Sequence, residues 1–193
     1  MIKAIIILSV LFSNGDNTAE KTTYKVDGAA SKVAWIGKKV TGEHNGSISL
    51  KGGNFTFEDG MLVGGLFTVD MTSSVCEDLE GEYKGKLEGH LKSEDFFGVE
   101  KYPTATFVVT KAVPQGPGKY KVIGNITIKE KTEEIQFTAD IDEKNGKVTG
   151  NANLIIDRSR FDVKYGSGSF FDNLGDKTIY DDFNLNISLV ATK

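Results

Sequence analysis

Tyr120-Lys121-Val122-Ile123-Gly124-Asn125-Ile126-Thr127-Ile128 repeats with a period of two: Tyr120, Val122, Gly124, Ile126 and Ile128 fall on every second position, with Lys121 and Thr127 between. A period of two lines one face of a β-strand, whereas a helix repeats at 3.6. The next segment does the same through Ile135, Phe137, Ala139 and Ile141, and the C-terminal one through Phe183, Leu185, Ile187, Leu189 and Ala191. Upstream, the same alternation links Val33 with Trp35, Ile48 with Leu50, Phe55 with Phe57, Phe67 with Val69 and Met71, and Phe107 with Val109. Between these runs stand turn dipeptides. Asp59-Gly60 and Asn145-Gly146 favour the type I′ turns whose twist suits a two-stranded hairpin, and Gly116-Pro117-Gly118 breaks the chain before Tyr120. About eight strands joined in sequence, each apolar on one face, predict an all-β, antiparallel up-and-down barrel or sandwich.

One segment departs from the pattern. Leu79, Tyr83, Leu87 and Leu91 recur every four residues among charged neighbours, which is a helical stripe weakened by glycines at 81, 85 and 89. We expect one or two short helices around residues 79–98, lying on the barrel or across its mouth. Ser93, followed by Glu94 and Asp95, is placed to cap a second turn ending at Gly98.

The chain has 193 residues, the size of one domain, and its 39% apolar content suffices for a core without a metal or disulfide staple. Cys76 is the single cysteine, so no intramolecular disulfide forms and a four-cysteine zinc site is excluded. A net charge of -4 argues against a nucleic-acid partner, which would need a basic face. Met1-Ile2-Lys3 precedes an apolar run from Ala4 to Phe12 and then polar Ser13-Asn14-Gly15, the order of a secretory signal peptide and too short to span a bilayer. No A-x-A marks the junction, and no cysteine follows the run to carry a lipid anchor. The expectation is a signal peptide and leader over residues 1–19, a barrel domain over residues 20–193, and export to the periplasm or beyond.

Catalytic signatures are sparse. There is no glycine-rich phosphate loop and no G-x-S-x-G elbow, and His44 and His90 belong to no metal-ligand spacing. Glu77 and Asp78 follow Cys76 and would raise its pKa rather than activate it. The adjacent pairs Glu77-Asp78, Glu94-Asp95 and Asp181-Asp182 read as solvated charge, because neighbours on a strand face opposite sides. No cofactor and no metal are expected, and the chain does not read as an enzyme. What remains is the interior, where Trp35, Phe67, Val69, Phe107, Ile126, Phe137, Leu185 and Ile187 are the candidate inward residues. A closed barrel of this size either fills its lumen with side chains or leaves room for one small ligand. Periodicity by itself favours filling, the default use of such faces.

The segments Gly89-His90-Leu91-Lys92-Ser93-Glu94-Asp95-Phe96-Phe97 and Tyr102-Pro103-Thr104-Ala105-Thr106-Phe107 resemble the pattern of the YceI-like proteins. So do Gly42–Gly46, Tyr120–Lys129, Asp157–Phe161, Tyr165–Gly168 and Asp181–Phe183, in the expected order over nearly everything after the leader. Lys129-Glu130-Lys131-Thr132 departs from it by lacking the glycine that many relatives place in this hairpin. The resemblance implies a lipocalin-like barrel, usually exported, with a long internal tunnel in which some members hold a polyisoprenoid chain or the tail of an isoprenoid quinone. It carries no agreed catalytic constellation; Pro103 fixes a strand start, and Phe96 and Phe97 seal the barrel near the helix. With it, an apolar lipid becomes the expected partner. Trp35, Phe67, Val69, Phe97, Phe107, Ile126, Phe137, Leu185 and Ile187 are then the expected ligand-binding residues, and Tyr83, His90 and Tyr102 the residues at the cavity mouth. The alternative is an exported stress-response or interaction protein with a solid core and no lipid ligand, which predicts an extensive exposed apolar patch or a stable oligomer such as a homodimer.

Overall fold

A computed structural model describes residues 19–193; the expected signal peptide lies outside the described residues apart from its last position. Nine strands and one helix follow one another as β1 (Lys21–Val26), β2 (Lys32–Lys39), β3 (Gly42–Glu58), β4 (Met61–Cys76), α1 (Gly81–Lys92), β5 (Thr104–Gly116), β6 (Lys119–Ile128), β7 (Lys131–Lys144), β8 (Lys147–Asp157) and β9 (Ile179–Thr192). All pairings are antiparallel and the sheet closes through β3–β4, giving a barrel of eight positions. One position is shared. β1 pairs with the Asn54–Glu58 half of β3 and β2 with its Gly42–Ile48 half, and both reach β9. The break between them is an Asx turn, in which the Asp27 carboxylate accepts from the Ala29 and Ala30 N–H groups at 3.0 and 3.1 Å.

The hairpins follow the turn chemistry. Asp59-Gly60 and Asn145-Gly146 have positive φ at both positions, 49° and 76° and then 55° and 77°, as type I′ geometry requires. Lys129-Glu130 adopts the same left-handed pair at 48° and 61° with no glycine. The departure from the family pattern therefore leaves a tight two-residue turn intact and places two bulky residues in αL. Lys129 gains something in return, because its ammonium donates to the Phe96 and Asp162 carbonyls at 2.9 and 3.2 Å.

The turns at 59–60, 117–118 and 145–146 lie at one end of the barrel, the turn end. At the other, the helix end, lie α1, the 129–130 turn and the long β8–β9 connection with its 3₁₀ turns at Arg158–Phe161 and Gly175–Lys177. A single helix forms where one or two were expected; residues 93–98 make a turn in which Phe96 and Gly98 N–H donate to the Ser93 carbonyl. The Ser93 hydroxyl does not cap that turn but donates back to the His90 carbonyl at 2.8 Å, closing α1. α1 buries no residue completely, and Tyr83 on the expected apolar stripe is 74% exposed. Among the described residues no helix is long and apolar enough to cross a membrane.

Candidate functional site: the barrel lumen

Alternation sends one face of every strand inward, and these faces assemble into two packed clusters. At the turn end, Tyr24, Phe55, Phe57, Leu62, Tyr120, Val148 and Ala191 belong to one. At the helix end, Met71, Ala105, Ile128, Leu154, Ile156 and Phe161 belong to the other. Phe107, Phe137, Ala152 and Ile187 pack against both and are themselves only half-buried. Side chains aimed inward from mid-barrel positions are well covered only if the centre is full, so their partial exposure marks loose packing there.

The looseness is a cavity of about 120 Å³ with no polar lining surface. Phe67, Val69, Phe107, Ile126, Phe137, Leu185 and Ile187 line it, together with residues of the same period-two runs that were not singled out, among them Leu50, Phe55, Leu62, Val122, Ile135, Ile141 and Leu154. Four rings cross it in series: Phe55 meets Phe67 edge-on at 5.0 Å, Phe67 stacks on Phe107 at 6.5 Å, and Phe107 tilts against Phe137 at 5.5 Å. Glycines let several of these rings lie down on the wall. A Cβ at Gly53 would meet Phe67 at 2.9 Å, one at Gly124 would meet Phe107 at 2.6 Å, and one at Gly150 would meet Phe55 at 3.1 Å. A side chain at any of these positions would push its ring toward the axis.

Not every candidate reaches the lumen. Trp35 is absent from the lining; its indole lies over Gly46 and donates to the Ser47 carbonyl at 3.3 Å. Phe97 is absent too, packing edge-on to Phe96 at 5.2 Å and to Phe183 at 6.4 Å in the seal of the helix end. Of the three residues expected at a mouth, Tyr83 points into solvent from α1, and Tyr102 packs beside Gly98 with the Lys101 ammonium over its ring at 4.9 Å. His90 sits in a closed aromatic stack, edge-on to Tyr165 at 4.3 Å and to Phe96 at 5.6 Å. That end is therefore capped and not a mouth. The long tunnel implied by the resemblance is, in this chain, a short chamber between two plugs.

The plug at the helix end holds a residue that periodicity cannot reveal. Arg158 is 2% exposed and donates to the carbonyls of Val163, Ile179 and Tyr180 at 2.7, 3.0 and 3.2 Å. Its guanidinium lies 3.3 Å from Asp181 and 5.1 Å from the centre of the Phe96 ring. Burial pushes its pKa down, and the Asp181 and Asp157 carboxylates oppose that shift. Asp181 thus departs from the expected solvated charge because it neutralises a buried cation.

Asp78 departs from it too. It accepts from the Asn45 N–H at 3.0 Å and the Cys76 thiol at 3.1 Å, and lies 2.9 Å from His44 Nδ1. Burial would raise its carboxyl, but the hydrogen bonds from Asn45, His44 and Cys76 outweigh that and hold it at about 2. The same geometry leaves the thiol inert. Burial first, and the Asp78 carboxylate second, push the Cys76 pKa up, so the thiolate needed for nucleophilic chemistry is disfavoured. His44 and His90 have no partner in common.

The sequence profile of the YceI-like domain matches residues 24–191. Among curated relatives, a UPF0312 protein of Vibrio parahaemolyticus is 27% identical over 80% of this chain and 85% of its own length. One of Photorhabdus laumondii is 28% identical over 65% of this chain, and the match spans 64% of that relative. Among solved structures, BcnA of Burkholderia cenocepacia is similar with a TM-score of 0.70 and 28% identity, over 86% of this chain and 99% of that one. A polyisoprenoid binding domain from Saccharophagus degradans, implicated in plant cell wall breakdown, shares the fold with a TM-score of 0.66 at 13% identity, over 88% and 97% of the two chains.

Proposed function

The chain belongs to the YceI-like family, and from that premise we infer that its barrel binds the hydrocarbon chain of an isoprenoid lipid in the lumen, to carry or store it outside the cytoplasm. The observation behind this reading is the chamber itself: apolar, at mid-barrel, and bordered by half-buried aromatic rings rather than interlocked ones. A lining that is apolar apart from Asn151 at its edge suits the tail of such a molecule and offers little to a polar head group, which stays outside. The S. degradans domain of the same fold, a polyisoprenoid binding domain, supports the choice of ligand class. The role is binding, with no reaction assigned.

Magnitude sets a condition. An engineered apolar cavity of ~150 Å³ takes one benzene, so 120 Å³ accepts about one five-carbon isoprene unit. Burying five carbons at ~0.8 kcal/mol each contributes about 4 kcal/mol, roughly millimolar affinity before ordering costs. Tight binding of a long chain therefore requires the Phe107 and Phe137 rings to swing aside and join the two halves of the lumen. A second reading, a barrel that works through its surface, draws on the small chamber and on the exposed rings of Phe170 and Phe171 in the β8–β9 connection. Titration with a fluorescent geranylgeranyl alcohol separates the two. Wild-type protein is expected to bind it, and Phe137→Glu to lose at least tenfold in affinity while its near-ultraviolet circular dichroism shows a folded barrel. A folded wild type that takes up no probe would favour the surface reading.

A further inference from the structure

Both ends of the lumen are plugged by buried side chains, so a chain that reaches the chamber lengthwise must unpack a core cluster. The wall offers another way. β7 and β8 pair only from Ala139↔Ala152 to Lys144↔Lys147, yet β7 continues back to Lys131 and β8 forward to Asp157. The five residues Asn153–Asp157 thus have no ladder partner on β7, and Lys131–Thr138 have none on β8. Ile135, Phe137 and Leu154, which flank this seam, all line the chamber. An outer groove runs from Lys32 and Ala34 of β2 across β9 and β8 to β7 and reaches the point where the pairing stops, at Thr138 and Asn153; Asn151, Ala152 and Ile187 border both that groove and the chamber. At the helix end the seam is tied by an ion pair between Glu133 of β7 and Arg160 of the 3₁₀ turn after β8.

Other parts of the described wall also lack ladder pairing: β1 meets β9 only at Lys25 and Val26, and a stretch between Met61–Gly64 of β4 and the end of β5 is unpaired. The latter is bridged from within: Tyr120, buried, reaches across so that its hydroxyl accepts from the Leu62 N–H at 3.5 Å. The β7–β8 seam has no such bridge among its described hydrogen bonds; its inner residues on β7, Ile135 and Phe137, are half-buried, while Leu154 and Ile156 on β8 are buried in the helix-end cluster and hold it by side-chain packing alone. Parting it breaks side-chain contacts and one exposed ion pair, whereas parting a paired wall breaks ladder hydrogen bonds.

We propose that apolar chains pass sideways into and out of the lumen through the seam between β7 and β8, with the Glu133–Arg160 pair as its tie. This rests on the lumen being the binding site, and the test separates the two. Cysteines are placed at Thr138 and Asn153, one register step beyond the last pair, and joined as a disulfide or by a short thiol crosslinker; buried Cys76 stays in place. A second pair at Thr149 and Val190, across the continuous β8–β9 ladder and away from both groove and chamber, is the control. Exchange of the fluorescent geranylgeranyl alcohol is followed by stopped flow. The expected result is an exchange rate at least tenfold lower in the crosslinked seam, restored on reduction where a disulfide was formed, with the amount bound at equilibrium unchanged and the control unaffected. Glu133→Gln is expected to raise the rate about threefold. Exchange in the crosslinked seam at the uncrosslinked rate would overturn the proposal while leaving lumen binding intact. A wild type that binds no probe would overturn both.

Discussion

Arg158 shows why a single residue can govern one end of this barrel. A guanidinium has five donors in a fixed fork, and here three backbone carbonyls and a carboxylate surround it in a nearly dry site. Replacing it with methionine removes the charge, leaves those carbonyls without their donors and leaves Asp181 only its hydrogen bond from the Ser169 hydroxyl. We expect Arg158→Met to cost about 3–5 kcal/mol in urea unfolding, with Arg158→Lys recovering only part, since a point charge cannot serve three carbonyls at once. Asp78 gives a pH signature. Its folded pKa of about 2 lies below the unfolded value of 3.8, so its stabilisation is fully present above the unfolded value and is lost as pH falls toward 2. Urea midpoints of wild type and Asp78→Asn, measured from pH 6 downward, should keep a constant gap to about pH 4.5, which then narrows and closes only as the pH falls through the folded pKa of about 2. A gap that stayed constant through about pH 2 would show that the carboxylate's charge contributes nothing. Neither residue's role was legible from the sequence, because burial of a charged side chain depends on what the β8–β9 connection and α1 bring over it.

At the scale of elements, alternation and turn chemistry carried most of the fold. The period-two runs at 120–128, 135–141 and 183–191 all became strands with that face inward, since a strand with one greasy side has only one place to bury it. The same logic could not tell that one barrel position would be split between β1 and β2, a matter of where Asp27 and Gly28 turn the chain. The stripe at 79–91 correctly marked a helix but not its exposure: glycines at 81, 85 and 89 leave too little apolar surface to bury it deeply. The Lys129-Glu130 hairpin gives the sharpest test at this scale. Both residues hold positive φ, a conformation costing an L-residue about 1–2 kcal/mol, but only Lys129 has compensating bonds. Glu130 is exposed. Glu130→Gly should therefore stabilise the protein by about 0.5–1 kcal/mol by thermal or urea unfolding, while Lys129→Gly should destabilise it by uncoupling the hairpin from Phe96 and Asp162.

The molecule as a whole is a closed wall around a chamber that its ends do not reach. Seven of the nine residues expected to hold a ligand line that chamber, because inward alternation is enough to find them. Trp35 and Phe97 obey the same alternation or lie beside it, yet sit over Gly46 and against Phe183, where the barrel is already sealed. The residues expected at a mouth were placed by their nearness to α1. They lie outside the chamber's lining, on the side where α1 and its loop pack over the helix end. The size of the chamber, about 120 Å³, follows from how four rings pack across it, three of them folded over glycines, and is beyond what periodicity can count. The proposed occupant of this space is a prenyl chain. Native mass spectrometry of the protein purified from its own host, followed by organic extraction, tests it directly. The expected result is a bound species whose extract is a polyisoprenoid or an isoprenoid quinone. Protein of bare polypeptide mass, giving no isoprenoid on extraction, would contradict it.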